Sequence, residues 1–197
     1  MPEAFKADGG SKLSRLWDRA LFFGHFLADP RGLASPAPSS RRIGEVIAGE
    51  LAAWKAHRVV ELGCGTGSLT EGVLHALPPD EKLLCVERKP AFCRRLKARF
   101  GDRVEVVQGD ALRLPDIVAH TRWEEPDAVV CSVPLLNRFG KSLCRTIAEA
   151  LPPGALYLQV ANYRAPVEAY FDIHKTYVFL ANIPPEQLHC AVTKNGK

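Results

Sequence analysis

The sequence predicts an α/β fold: a mostly parallel sheet of seven strands ending in a β-hairpin, preceded by an amphipathic helix. Three observations point there. Short β-rich apolar runs at 59–62, 83–87, 103–107, 127–131 and 156–160 alternate with helical patterns, the rhythm of successive βα units. The first run passes straight into Gly63-Cys64-Gly65-Thr66-Gly67, and a helical pattern follows from about Leu69. Two later β-rich runs, 176–181 and 187–192, flank Asn182-Ile183-Pro184-Pro185 as the arms of a hairpin would.

Composition bounds the reading. A chain of 197 residues, 47% hydrophobic and 24% charged, suits one domain with a full-sized core and leaves no room for a separate substrate domain. A net charge of +4 permits an anionic partner without demanding one. The cysteines at 64, 85, 93, 131, 144 and 190 form no C-x-x-C pair. Most sit in apolar patterns, so buried thiols in a reducing cytoplasm are expected, with no disulfide and no metal. No stretch approaches the ~20 apolar residues of a membrane span, and the start lacks a signal-peptide pattern.

Taken in order, residues 11–28 form a helical pattern after a frayed start. Leu13, Leu16, Trp17 and Phe23 belong to its apolar side, and Lys12, Arg15 and Arg19 to the other. Such a helix either lies in a membrane interface or docks on its own domain, and periodicity alone favours docking. Asp29-Pro30-Arg31-Gly32 stops it, and a Pro/Ser loop leads to a second helix with Ser39 or Ser40 as N-cap. Ile43, Val46, Ile47, Leu51 and Trp54 make its buried stripe. Its free N–H groups, with Arg41 and Arg42, can hold a phosphate or carboxylate, or can simply be capped. Later helices are expected from Leu69 to Leu77, after Pro90, and from 141 to 151. The basic outer face of Arg94, Arg95, Lys97 and Arg99 reads as solvated surface.

The glycine loop indicates the ligand. In the dinucleotide fingerprint G-x-G-x-x-G the third glycine would fall at Ser68, but here it comes one position early, at Gly67. Glu61 precedes the loop, and a carboxylate there repels a pyrophosphate but pairs with an ammonium. S-adenosylmethionine (SAM) carries one. Glu61-x-Gly63-x-Gly65-x-Gly67 resembles the first motif of class I SAM-dependent methyltransferases, which have a Rossmann-like fold. That resemblance implies a SAM site at Glu61, Gly63, Cys64, Gly65 and Gly67. It adds Glu87 on the ribose diol beside Arg88, then Asp110 and the Ala111 N–H on adenine, and Ser132 at the end of the fourth strand.

A narrower resemblance follows from Phe26-Leu27-Ala28-Asp29-Pro30, Ala37-Pro38-Ser39-Ser40, the glycine motif, Ser132-Val133-Pro134-Leu135-Leu136-Asn137, and Phe179-Leu180-Ala181-Asn182-Ile183-Pro184-Pro185. Together these are similar to the rhizobial-type bacterial phosphatidylethanolamine N-methyltransferases. The resemblance implies stepwise methylation of phosphatidylethanolamine to phosphatidylcholine, on the inner face of the cytoplasmic membrane. It turns the reading of residues 11–28 to membrane contact, dividing the chain into a membrane-contact segment, 1–38, and a methyltransferase domain, 39–197. The partners expected are the lipid and an anionic phospholipid surface, with no nucleic acid and no obligate protein partner. Asn137, the Ser132 carbonyl and Tyr163 are the candidates for holding the amine, and Ser39, Ser40 and Arg41 for the lipid phosphate. One departure is Val133, where the family commonly has Gly.

Two alternatives stand beside this reading. RNA adenine N-methyltransferases have a similar order of motifs but usually carry Asn-Leu-Pro-Tyr, whose aromatic stacks on a flipped base; Leu135 lacks that surface. A membrane-surface protein retaining SAM only as a structural ligand is the other.

Overall fold

The computed structural model describes residues 41–119, 121, 123–133, 137–161, 166–182 and 185–194. The helix expected at 11–28, with Ser39, Ser40 and Tyr163, lies outside the described residues. Among them, no helix is long and apolar enough to cross a membrane.

The chain folds as α1 (Arg41–Trp54), β1 (Val59–Leu62), α2 (Ser68–Ala76), β2 (Leu83–Glu87), α3 (Pro90–Phe100), β3 (Val104–Gln108), α4 (Leu114–Ala119), β4 (Ala128–Cys131), α5 (Asn137–Ala150), β5 (Leu156–Ala161), β6 (Phe171–Phe179) and β7 (Glu186–Thr193). One seven-stranded sheet has the order β3-β2-β1-β4-β5-β7-β6. The first five strands are mutually parallel, and β7 inserts antiparallel between β5 and β6. This is the Rossmann-like arrangement with a terminal hairpin that the sequence predicts.

Every residue of β1, β2, β4 and β5 is buried, as expected for strands covered on both faces. Residues of α1, α2 and α3 pack on one face around Val59, Cys85 and Leu158; those of α4 and α5 pack on the other around Leu62, Val86 and Tyr157. All six cysteines are buried thiols. Below β4, Asp127 accepts from the Arg58 amide at 2.8 Å, the His57 amide at 3.0 Å and the Arg58 guanidinium at 3.1 Å. Partial burial opposes its charge, but these donors outweigh it and hold the carboxyl below the usual range. They fix the start of β4 beside the start of β1.

Four details differ from the sequence reading. The helix expected from 141 begins at Asn137, because its first turn contains Gly140 and no apolar stripe. β6 begins at Phe171 rather than 176, since Asp172, His174 and Lys175 on this edge strand break the apolar run, and the register shifts between Ile173 and Lys175. Trp54 is 42% exposed and stacks on His174 instead of joining the buried stripe. Arg99 is no mere solvated arginine: it donates to the Thr66 and Gly67 carbonyls at 3.2 and 3.3 Å and pairs with Glu71, tying α3 to the glycine loop.

α1 and α2 touch backbone to backbone. A Cβ added to Gly72 would lie 2.5–2.7 Å from the Gly44 backbone, whereas one on Gly44 would meet Gly72 at an ordinary 3.5 Å. Gly72→Ala should therefore lose about 1–3 kcal/mol by forcing the helices apart. Gly44→Ala should be neutral or slightly stabilising, because alanine favours helix by about 1 kcal/mol. Urea unfolding of the two variants checks this asymmetry.

Candidate functional site

The parallel strands all deliver their C-terminal ends to one edge of the sheet, where ligands of such sheets bind. The peptides that follow continue the hydrogen bonding across it. Gly63 N–H donates to the Val86 carbonyl at 3.0 Å, Gly109 N–H to Glu87 at 3.1 Å, and Ser132 N–H to Leu62 at 3.0 Å. The loops after β1, β2, β3 and β4 therefore lie side by side.

The loop after β1 turns through Gly63, Gly65 and Gly67, at φ of 76°, 55° and 88°, where a side chain is costly. Two of these glycines also admit neighbours. A Cβ on Gly63 would lie 2.8 Å from Val133 Cγ2, and one on Gly67 would lie 2.5 Å from the Phe100 ring. Val133, the residue that departs from the resembled family, thus fills the space over a glycine.

Glu61 is completely buried under this loop. Thr70 donates to its Oε2 at 2.7 Å; its Oε1 is buried without a hydrogen-bond partner among the described residues. Burial, with the nearby charge of Glu87, pushes the carboxyl from 4.5 up to about 7, against the opposing hydrogen bonds. With no exposed surface, its carboxyl does not touch the space above the loop. Cys64 and Cys85 come within 4.8 Å of Glu61, a spacing that metal ligands also show. Both thiols are pushed up, Cys64 mainly by burial, so a metal binding there would have to displace their protons.

Glu87 ends β2, nearly buried, with Oε2 accepting from Gly65 N–H at 2.9 Å and Oε1 from Lys89 N–H at 2.8 Å. A carboxylate has about four acceptor sites, so two remain for a diol. Asp110 is exposed after β3, its Oδ1 accepting from Leu112 N–H at 2.9 Å as the cap of a short turn. A capping role and a ligand role coexist there, since Oδ2 is not used by the cap. The adjacent cavity is lined by Val107, Asp110, Arg113 and Ile117, among others. Leu112, which sequence reasoning did not single out and whose N–H donates to Asp110, is 36% exposed.

After β4, the Ser132 hydroxyl donates to the Gly63 carbonyl at 2.7 Å, which joins the fourth loop to the first. Asn137 opens α5 at the same edge. The structure therefore brings Glu61, Gly63, Cys64, Gly65, Gly67, Glu87, Asp110, Ala111 and Ser132 to one edge. Arg88 is there too, but exposed. The short connection from Trp54 to Val59 sends α1 back antiparallel to β1, so Arg41 starts α1 at this same end. Arg41 is exposed and pairs with Glu45 at 3.3 Å, the ordinary surface arrangement.

Fold and site define a class I methyltransferase with SAM as its cofactor. A family model for a methyltransferase domain matches residues 59–154. The ornithine lipid N-methyltransferase of Singulisphaera acidiphila is 32% identical over 178 residues, covering 85% of this chain and 92% of that protein. The chain belongs to the same family of class I SAM-dependent methyltransferases. The mycinamicin-resistance protein MyrB of Micromonospora griseorubida matches more narrowly, 38% identical over 45% of this chain and 24% of its own length. Among solved structures, an O-methyltransferase from Bacillus cereus in complex with SAH superposes with a TM-score of 0.67 at 13% identity, covering 90% and 91% of the two chains. The N-methyltransferase NodS of Bradyrhizobium japonicum with SAH gives 0.61 at 13% identity, covering 78% and 87%. These two likenesses are of fold.

The Glu61 environment has a measurable consequence. With a folded pKa of about 7 against 4.5, the folded state holds a proton that the unfolded chain releases, so stability falls as pH rises from 4.5 to 7. The full cost is about 3 kcal/mol. Glu61→Gln should flatten this slope and raise the stability of the ligand-free protein at pH 8, with little gain at pH 4.5. Urea titrations at the two pH values check it.

Proposed function

We propose that this methyltransferase acts on the primary amine of a membrane lipid, with phosphatidylethanolamine methylated stepwise to phosphatidylcholine. The observation that carries the lipid-amine reading is the relative that is 32% identical along 92% of its length and is named for N-methylation of a lipid. The sequence stretches around Asp29-Pro30, Ser39-Ser40, Ser132–Asn137 and Asn182–Pro185 support phosphatidylethanolamine in particular. Ornithine lipid is the second reading, favoured by that relative's own substrate. Both present a primary alkylamine on a zwitterionic headgroup.

SAM supplies a methyl group made electrophilic by its sulfonium. In this reading Glu61 attracts the ammonium of SAM, Glu87 accepts from the ribose hydroxyls, and Asp110 with the Ala111 N–H receives adenine, with Leu112 along its face. An alkylammonium has a pKa of ~10, so the site must favour its neutral form, and a dry site does this without a dedicated base. Ser132, Asn137 and Tyr163 are assigned to orienting the amine, and Tyr163 adds a cation–π contact of about 0.5–2 kcal/mol as methyl groups accumulate. Ser39, Ser40 and Arg41 meet the lipid's anionic group. Residues 11–28, through Leu13, Leu16, Trp17 and Phe23 with Lys12, Arg15 and Arg19, hold the protein on the inner face of the membrane. Partial matches to RNA-directed relatives leave adenine methylation as the competing outcome, and Leu135 in the usual place of the stacking aromatic argues against it.

Transfer of labelled methyl groups from SAM should appear in vesicles containing phosphatidylethanolamine, as mono-, di- and trimethylated lipid, and be absent from an RNA control. Label in ornithine lipid alone selects the second reading, and label in RNA alone overturns both. Removing residues 1–28 should lower flotation with anionic vesicles by at least about tenfold while SAM binding persists. Undiminished flotation refutes the membrane role.

A further inference from the structure

Beneath the loop after β4 lies a polar cluster that packing does not require. Tyr157 and Gln159 are both fully buried in β5. They stand two residues apart, on the α5 side of the sheet where Tyr157 stacks on Phe171 with ring centroids 4.3 Å apart. The Tyr157 hydroxyl donates to Gln159 Oε1. Gln159 Nε2 in turn donates to the Val133 carbonyl at 3.3 Å and to the Val160 carbonyl at 2.7 Å. Cys131 is the cross-strand partner of Gln159, and its thiol meets the Val133 N–H. Both backbone groups of Val133 are thus held from below, while its side chain sits over Gly63 and the neighbouring Ser132 hydroxyl holds the Gly63 carbonyl.

An amide and a phenol buried in an otherwise apolar layer cost stability unless each is satisfied. An apolar pair would fill the same space without that demand. Burial keeps the Tyr157 phenol protonated, well above its ordinary range, so it remains a donor to Gln159 at working pH. Of the two carbonyls that the Gln159 amide reaches, Val160 lies in its own strand, and Val133 begins the loop toward Asn137.

We propose that Gln159, oriented by Tyr157, is a positioning residue for methyl transfer. Its amide fixes the Val133 carbonyl and with it the acceptor loop against the glycine loop. The substrate in this proposal rests on the lipid-amine reading; the geometry does not.

The test is the double variant Tyr157→Phe/Gln159→Leu, which removes donor and acceptor together and leaves no unpaired polar group between the two side chains. It should stay folded, with an unfolding temperature lowered by a few degrees at most because the Val133 and Val160 carbonyls lose their amide donor, and bind SAM with unchanged Kd. Its kcat for methyl transfer to phosphatidylethanolamine vesicles should fall about tenfold to a hundredfold, the usual consequence of a misplaced reacting group. Amide hydrogen exchange over residues 131–139 should quicken, with β1 and β2 unchanged. Wild-type kcat with unchanged exchange overturns the proposal, as does a loss of kcat that merely follows a loss of SAM affinity. A wild-type protein that methylates no lipid amine refutes the lipid-amine reading instead, and the exchange of residues 131–139 then decides the positioning role alone.

Discussion

The site depends on one constraint: parallel strands must end flush and then leave the sheet without leaving backbone groups unpaired. The chain meets it by letting the first peptide beyond β1 and β4, and one just beyond β3, donate across to a neighbouring strand. Buried backbone groups that lack partners are costly, so this continuation fixes the height at which each loop departs. Everything placed on those loops inherits the register. Glu87 reaches the Gly65 amide because β2 ends one residue beyond Val86, whose carbonyl already holds Gly63. Ser132 reaches the Gly63 carbonyl because β4 pairs Cys131 with Leu62.

The acids at this edge are arranged in graded environments. Glu61 is sealed and close to half protonated near neutrality, Glu87 is nearly buried with one backbone amide on each oxygen, and Asp110 is open. The gradient suits a ligand with a cation at one end and neutral hydrogen-bonding groups at the other. A cation at the loop lowers the cost of ionising Glu61, so part of its binding energy goes into removing a proton from the buried acid. Arg99 supports the same loop from outside, holding carbonyls that the turn through Gly67 leaves pointing toward α3.

Much of this was legible in the sequence because it rests on local chemistry. Three glycines at alternate positions after a β-rich run specify a loop that other residues cannot trace, and acids at strand ends specify a polar rim. What was missed had weaker local signals. β6 was cut short because an edge strand carries charged residues, which blunt pairing with other chains and also hide its apolar alternation. Arg99 was hidden among four basic residues, since only the packing of α3 on the glycine loop distinguishes it. Gln159 carried a signal that could have been read: a lone amide in the apolar run Leu156-Tyr157-Leu158-Gln159-Val160. Its target could not, because Val133 is 26 residues away and joins it only through the pairing of β4 with β5.

On the proposed function, a lipid acceptor changes what the site itself must supply. A soluble acceptor must be captured and oriented by the protein, and that demands surface. A lipid arrives already oriented, its headgroup amine at a fixed depth and at high local concentration, so much of the cost of bringing two reactants together falls on the membrane. What remains for the fold to supply is the angle between the amine and the methyl group, which a loop fixed at both Ser132 and Val133 is built to hold. A polar cluster under that loop, reaching the Val133 carbonyl through Gln159, is where such a division of labour would place its hydrogen bonds.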